Sequence, residues 1–371
     1  MSALAVRTGS LNLGQGFPDV DGPPEVIAEA LAALEGGANQ YAPGVGVPAL
    51  RQAVARHQQR HYGLELDPDR QVVVTTGCTE GIAAALLGLV EPGDEVVVLE
   101  PYYDSYVAMI QMAGGVRRPV TLRAPDFRLD VDEVRAAVTP RTRFLLVNSP
   151  HNPTGTVLTP EELDAVAAVA IEHDLVVVTD EVYEHLTFGH EHRPLATLPG
   201  MFERTLTLSS AGKSYSFTGW KVGWATGPAE LVGALLAAKQ WLTFTSGSPL
   251  QPAVATALDE HGDFPRSLAA DLHERRDLLC DGLRAAGLTT FTPEGTYFAM
   301  TDVSELGWDD GMAFCLALPE RAGVVAIPAQ VFYDDPAAPG AGQHLVRWAF
   351  CKERSVISEG VERLAAANLR A

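Results

Sequence analysis

Cysteine is scarce and unpaired in this sequence. Cys78, Cys280, Cys315 and Cys351 are scattered without a CxxC pair. That distribution excludes a disulfide framework and a cysteine zinc site, and it points to a reduced, cytoplasmic chain. Basic charge is also short: 27 Lys and Arg face 47 Asp and Glu, a formal charge of -20. A nucleic-acid partner needs a basic patch, so none is expected. The longest apolar runs, such as that around Ile82 to Val90, fall far short of the ~20 residues of a membrane span. MSALAVRTGS at the N-terminus lacks the apolar core of a secretory signal. Neither GxSxG nor HExxH occurs, which removes the commonest serine-hydrolase and zincin readings.

What is present is an alternation. QVVVTT (71–76), EVVVL (95–99), RFLLVN (143–148), LVVVTD (175–180) and TLTLSS (205–210) are β-branched runs, and helical patterns separate the first four. Strands that are apolar throughout and separated by helices predict an α/β fold with a parallel sheet covered on both faces. From residue 262 the rhythm changes to one long charged helix followed by shorter strands, YFAMTD, VVAIP and HLVRWAF. The 371 residues exceed one core, so a second, α+β domain is expected there, completed by the N-terminal arm. In parallel sheets, ligands sit at the carboxyl ends of the strands. Those ends carry the unusual residues here: Gly77-Cys78-Thr79, Pro101 to Tyr103, Asn148 to Gly155, Asp180 to Tyr183 and Ser209 to Lys213.

Gly212-Lys213-Ser214 imitates the end of a phosphate-binding P-loop. The glycine required five residues earlier is Thr207, inside a strand, so the loop is missing. GVGVPA (44–49) fails as a dinucleotide fingerprint because no strand precedes it. Lys213 then remains as a nucleophile able to form a Schiff base if its pKa is lowered. Pyridoxal phosphate asks more of such a site: a helix N-terminus for its phosphate, a carboxylate for its ring nitrogen, and donors for its phenolic oxygen. Thr79, Asp180, Tyr183 and Asn152 can meet those needs, and Tyr103 can stack on the ring. Each has a plainer alternative. Asp180 alone would serve as a helix N-cap, Asn152-Pro153 as a turn, Tyr103 as core packing and Lys221 as a surface lysine. His151, His185 and His190 show no ligand spacing and read as structural or exposed, and no metal is expected.

PHNPTG, TDEVY, SSAGKSYSFTGWKVGW and LVRWAF, in this order, resemble the class I/II aminotransferases of fold type I. The resemblance extends from NLGQGFPD (12–19) and NQYAPGVG (39–46) to the last helix. Within the class the sequence is most similar to the kynurenine, glutamine and methionine branch and to the actinobacterial N-succinyldiaminopimelate aminotransferases. The resemblance implies a mostly parallel seven-stranded sheet in a large domain, residues 39–275, with a small domain of residues 276–371 and an arm of residues 1–38. It implies pyridoxal 5′-phosphate as cofactor, Lys213 as its covalent anchor and proton carrier, and Asp180 at the pyridine nitrogen. Tyr183 and Asn152 would bond the phenolic oxygen, and Tyr103 would stack. Ser210, Lys221, Thr79 and the Cys78 amide would hold the phosphate. Arg347 would clamp the substrate α-carboxylate, with the Gly16 amide beside it. Tyr41 would reach the phosphate of a neighbouring subunit, which implies a homodimer.

The implied reaction is ping-pong transfer of an amino group between an L-amino acid and a 2-oxo acid, with glutamate and 2-oxoglutarate as one pair. The expected substrate is N-succinyl-LL-2,6-diaminopimelate. Aromatic, methionine, glutamine and kynurenine substrates, a β-lyase acting on cysteine conjugates, and other carbanion chemistry are the alternatives. Kynurenine-type enzymes place an aromatic-histidine pair where this sequence has Phe244-Thr245, and the missing histidine weighs against a strict kynurenine preference.

Overall fold

The computed structural model describes residues 1–338 and 340–371. Among these residues thirteen strands form three sheets. They are β1 (Leu11–Asn12), β2 (Val72–Thr76), β3 (Glu95–Glu100), β4 (Val116–Thr121), β5 (Thr142–Asn148), β6 (Val176–Asp180), β7 (Thr205–Ser210), β8 (Val222–Thr226), β9 (Thr289–Phe291), β10 (Phe298–Asp302), β11 (Val324–Val325), β12 (Ile327–Pro328) and β13 (Leu345–Ala349).

The large sheet has the order β2-β8-β7-β6-β5-β3-β4. Its pairings are parallel except around β8, which runs antiparallel to both β2 and β7. Strand alternation predicts the parallel part and misses this reversal. The connection from β7 to β8 contains only the four-residue helix Ala211–Ser214 and the single 3-10 turn Thr218–Trp220. A parallel return needs a crossover of about a dozen residues or more, usually a full helix, so the chain turns straight back. Strand β4 also escapes the sequence reading. It lies at the sheet edge with Val116 exposed, and its VRRPVT sequence has the charge and proline that edges tolerate.

Side-chain alternation along the strands builds a core on each face. Val96, Val98, Leu146 and Val178 pack with Ile82, Leu86, Ile110 and Leu235 from the helices Gly77–Leu89, Ser105–Met112 and Ala229–Lys239. Val97, Leu99, Leu145, Val147 and Val177 face the other way, against Val134, Leu163 and Val166 of the helices Val131–Ala137 and Pro160–Glu172. Each fully buried aliphatic side chain contributes about 1.5–3 kcal/mol. A third cluster joins Val72, Val74 and Trp224 to the helices Pro24–Glu35, Pro48–Tyr62 and Leu250–Glu260.

The smaller sheet, β12-β13-β10-β9, is antiparallel and packs with the helices Phe264–Ala285 and Arg354–Ala366. Strand β1 pairs in parallel with β11 and ties the N-terminal segment to this part of the chain. The helix Gly77–Leu89 starts directly at the end of β2, so its first turn opens at the carboxyl edge of the large sheet. No helix among the described residues is long and apolar enough to cross a membrane.

Gly88 sets how closely the helix Gly77–Leu89 approaches Ala229–Lys239. A Cβ at Gly88 would lie 2.4 Å from the Ala234 carbonyl oxygen, a backbone atom that cannot swing aside. Gly88→Ala is therefore expected to destabilise the chain by about 1–3 kcal/mol, read as a lower urea midpoint with little change in the folded circular dichroism spectrum.

Candidate active site

Strands β2, β5, β6 and β7 end around one cavity of about 960 Å³. Gly16, Cys78, Thr79, Tyr103, Asn152, Asp180, Tyr183, Ser210, Lys213, Lys221 and Arg347 all line it. Tyr41 does not. It is 84% exposed and meets Phe244 edge-on at 5.8 Å, away from the cavity of its own chain.

Asp180 ends β6 as a buried carboxylate. Tyr106 donates its hydroxyl to Oδ2 at 2.6 Å, while the Val182 amide (3.3 Å) and the Cys78 thiol (3.5 Å) donate to Oδ1. Among the described residues no lysine, arginine or histidine forms an ion pair with it. Burial pushes its pKa upward, and the three donors oppose that shift. Tyr106 is itself driven far above its ordinary range by burial and by Asp180, so it stays protonated as a donor. Sequence reading missed Tyr106 because it lies inside the helix Ser105–Met112, where its apolar neighbours make it look like core. Cys78, expected to contribute its amide alone, also gives its thiol to this carboxylate.

The first turn of the helix Gly77–Leu89 has no side-chain cap. Its free backbone N–H groups and the positive end of the helix dipole make an anion site. Gly77 adopts φ +69°, and a Cβ there would lie 3.1 Å from Lys221 Nζ. Lys221, itself left-handed at φ +53°, reaches Thr79 Oγ1 at 3.4 Å. The reversal of β8 is what brings Lys221 beside this helix start, with Ser210 on the adjoining strand.

Lys213 follows β7 by three residues and faces the cavity. Its amine donates to Tyr297 Oη at 2.7 Å, and Tyr297 donates to the Gly16 carbonyl at 2.9 Å. Burial lowers its pKa to about 8, with Lys221 and Arg347 adding repulsion and Asp180 pulling the other way. Tyr297 belongs to the segment before β10 and was not singled out from sequence. The scarcity of lysine was an available signal: the chain has four. Two line the cavity, while Lys239 and Lys352 are buried on backbone carbonyls.

Arg347 lies in β13, between the rings of Phe298 (4.0 Å) and Phe332 (4.7 Å). It donates to Asn152 Oδ1 at 3.1 Å and to the Gly14 carbonyl at 3.2 Å. Its Nε is buried without a partner, and no carboxylate among the described residues pairs with it. Burial lowers its pKa to about 10, which leaves it charged at neutral pH. The Asn152 backbone N–H donates to Asn148 Oδ1, and Asn148 Nδ2 donates to the Asp180 main-chain carbonyl, both at 2.8 Å. The strand end at Asn148 therefore ties the backbone at Asn152 to the backbone at Asp180.

Residues 8–363 match the family model for aminotransferase class I and II. The chain is 53% identical over 375 residues to the probable N-succinyldiaminopimelate aminotransferase DapC of Mycobacterium tuberculosis, a match covering 98% of this chain and 94% of that protein. It is 39% identical to the methionine aminotransferase of Escherichia coli, over 98% and 94% of the two chains. The solved structure of N-succinyldiaminopimelate aminotransferase from M. tuberculosis superposes with a TM-score of 0.95 at 52% identity, covering 98% of this chain and 95% of that one.

The lowered pKa of Lys213 has a direct test. In the cofactor-free chain, reductive methylation with ¹³C-formaldehyde labels the lysines, and one dimethyl-lysine signal is expected to titrate near pH 8, from charged below to neutral above. That signal should be missing in Lys213→Arg. If every lysine signal titrates above about pH 10, the desolvated amine is disproved.

Proposed function

The chain belongs to the class I and II aminotransferases, and from that premise we propose that it holds pyridoxal 5′-phosphate at these strand ends and exchanges amino groups between an L-amino acid and a 2-oxo acid in ping-pong fashion. The buried Asp180 carboxylate, held by neutral donors and in no ion pair among the described residues, carries this reading. A protonated ring nitrogen is the cation that such a carboxylate accommodates. The remaining donors fit the same group. The uncapped helix start with Thr79, Ser210 and Lys221 would take the phosphate, and Tyr183 and Asn152 would meet the phenolic oxygen. Tyr103 would cover one ring face, and Lys213 would hold the cofactor covalently.

When bound, the cofactor supplies a sink for the electron pair left as the substrate Cα loses its proton. The protein's own residues do the rest. Arg347 holds the α-carboxylate in a two-pronged grip, aided by the Gly16 amide, and so orients the Cα–H bond toward Lys213. Lys213, once free, would take the Cα proton on its Nζ as general base and give it back from the same face. An amine with a pKa near 8 suits both directions of that transfer. Tyr297, anchored on the Gly16 carbonyl, fixes where the Lys213 amine sits. Residues 39–275 would form the cofactor domain, with residues 276–371 and the arm of residues 1–38 forming the smaller one. Tyr41, exposed beside Phe244, would enter the site of a second copy, so the working unit is a cytoplasmic homodimer.

For the substrate we favour N-succinyl-LL-2,6-diaminopimelate, with glutamate and 2-oxoglutarate as the second pair. The relative at 53% identity supports this over the methionine enzyme at 39%. The cavity, at about 960 Å³, also stands at the roomy end for a small-molecule site.

Lys213→Ala is expected to lose the visible absorbance band of the covalently held cofactor and to reduce transamination by about 10²–10⁴-fold or more; a retained band overturns its assignment. In a half-reaction screen of single amino donors, N-succinyl-LL-2,6-diaminopimelate and glutamate are expected to discharge that band fastest. Faster discharge by methionine, glutamine or kynurenine would replace the proposed substrate. Pyruvate released from a cysteine conjugate would mark β-elimination, and no discharge by any donor would overturn transamination.

A further inference from the structure

Outside the cavity, the fold assembles three imidazoles from two distant segments. His57 and His61 are one turn apart on the helix Pro48–Tyr62, and His185 follows β6, 128 residues from His57 in sequence. One ring nitrogen from each lies within 4.8 Å of the others. The ring centres are 4.5 Å apart for His57 and His61, 5.0 Å for His57 and His185, and 4.9 Å for His61 and His185. Three imidazoles sharing one tetrahedral ion at about 2.0–2.1 Å have ring centres about 5 Å apart and nitrogens about 3.3 Å apart. The cluster already approaches that shape. Its planes are inclined at 44°, 84° and 61°, so the rings converge through their edges rather than stack.

The surroundings supply partners for the imidazoles. His57 Nε2 and His185 Nε2 are 2.8 Å apart and share one proton as a hydrogen bond; replacing that proton by an ion needs them to part by about 0.5 Å, to the tetrahedral spacing. Gln58 stands behind His57, its Nε2 3.5 Å from His57 Nδ1, while its Oε1 is buried without a partner. Rotating that amide by half a turn brings Oε1 to His57. Oε1 then accepts the His57 Nδ1 proton, and His57 Nε2 is left with the lone pair that a metal takes. Glu184, adjacent to His185, accepts from Tyr62 Oη at 2.6 Å and Ser209 Oγ at 2.5 Å, and acts on the charge of His61. Arg60, turned to the Leu258 carbonyl at 2.9 Å, and Arg266 act against positive charge here, and the ligand bonds have to outweigh that repulsion. His57 is buried and His61 exposed, which leaves a path for entry and room for water.

We propose that His57, His61 and His185 bind one divalent transition-metal ion of the zinc class, with solvent in the fourth position. Three imidazoles without a thiolate favour Zn²⁺, Co²⁺ or Ni²⁺ over Mg²⁺ or Ca²⁺. The ion clamps the helix Pro48–Tyr62 to the segment that begins at Asp180 and Tyr183, two elements otherwise joined here by hydrogen bonds and packing. The sequence reading set His185 aside and expected no metal, because its two partners lie far upstream. Nothing in this site depends on the reaction the cavity performs.

The full-length chain, purified without a tag and dialysed against EDTA, is titrated with ZnCl₂ and, separately, with CoCl₂. One equivalent of each is expected to bind, Co²⁺ with the intense visible bands of tetrahedral coordination, and Zn²⁺ with a rise of a few degrees in the unfolding midpoint. His61→Asn, an exposed change that leaves the core intact, should weaken Co²⁺ binding by at least about tenfold and remove the visible bands. His190→Asn, at an exposed histidine elsewhere, should leave both unchanged. Absence of stoichiometric uptake overturns the site, as does uptake that survives in both His61→Asn and His185→Asn.

Discussion

A carboxylate buried without a cation is the constraint around which this structure is arranged. Burying Asp180 is costly unless its oxygens are satisfied. Tyr106, Cys78 and the Val182 amide satisfy them with neutral donors, which oppose the upward push that burial gives its pKa. Arg347 poses the same problem with the opposite sign. It is sandwiched between two rings and bound to an amide and a carbonyl rather than to an acid. The two charges could neutralise each other if they met. They do not form an ion pair; hydrogen bonds through Asn152 and Asn148 tie the arginine to the main chain at Asp180. Charges kept unpaired in this way are poised for ligands, and their rigid mounting means little reorganisation when a ligand arrives.

The sheet provides that mounting. Parallel strands end together, so Asn148, Asp180 and Ser210 emerge along one edge, each fixed by the two-sided core behind it. The single antiparallel strand adds what parallel topology alone would not. By turning back beside β2, β8 sets Lys221 against the start of the helix Gly77–Leu89, where free amides and the helix dipole already favour an anion. A cation, a helix N-terminus and a serine hydroxyl therefore converge from three separate pieces of chain.

The smaller sheet contributes from the opposite side. Arg347 and the Tyr297 hydroxyl come from β13 and the segment before β10, neighbours in one antiparallel ladder. Tyr297 spans to both Lys213 and the Gly16 carbonyl. Any shift of the smaller sheet relative to the large one would move the arginine, the lysine's hydrogen-bond partner and the N-terminal segment together.

Much of this was legible in the sequence. The apolar runs announced the strands, and the polar residues where those runs stop announced the site: Cys78, Thr79, Asn152, Asp180, Tyr183, Ser210 and Lys213 all line the cavity. Such residues are readable because a strand end is a local event, marked by the change from β-branched to polar within two or three positions. Other features were decided by tertiary structure. Tyr106 meets Asp180 across 74 residues, Lys213 meets Tyr297 across 84, and His57 meets His185 across 128. The edge position of β4 and the reversed direction of β8 belong to the same class. Local sequence specifies which chemical groups a segment carries and its preferred periodicity. Which groups from separate segments become neighbours depends on how the elements pack, and a hydrogen bond or a metal ligand set exists only after that packing has brought its atoms within about 3 Å.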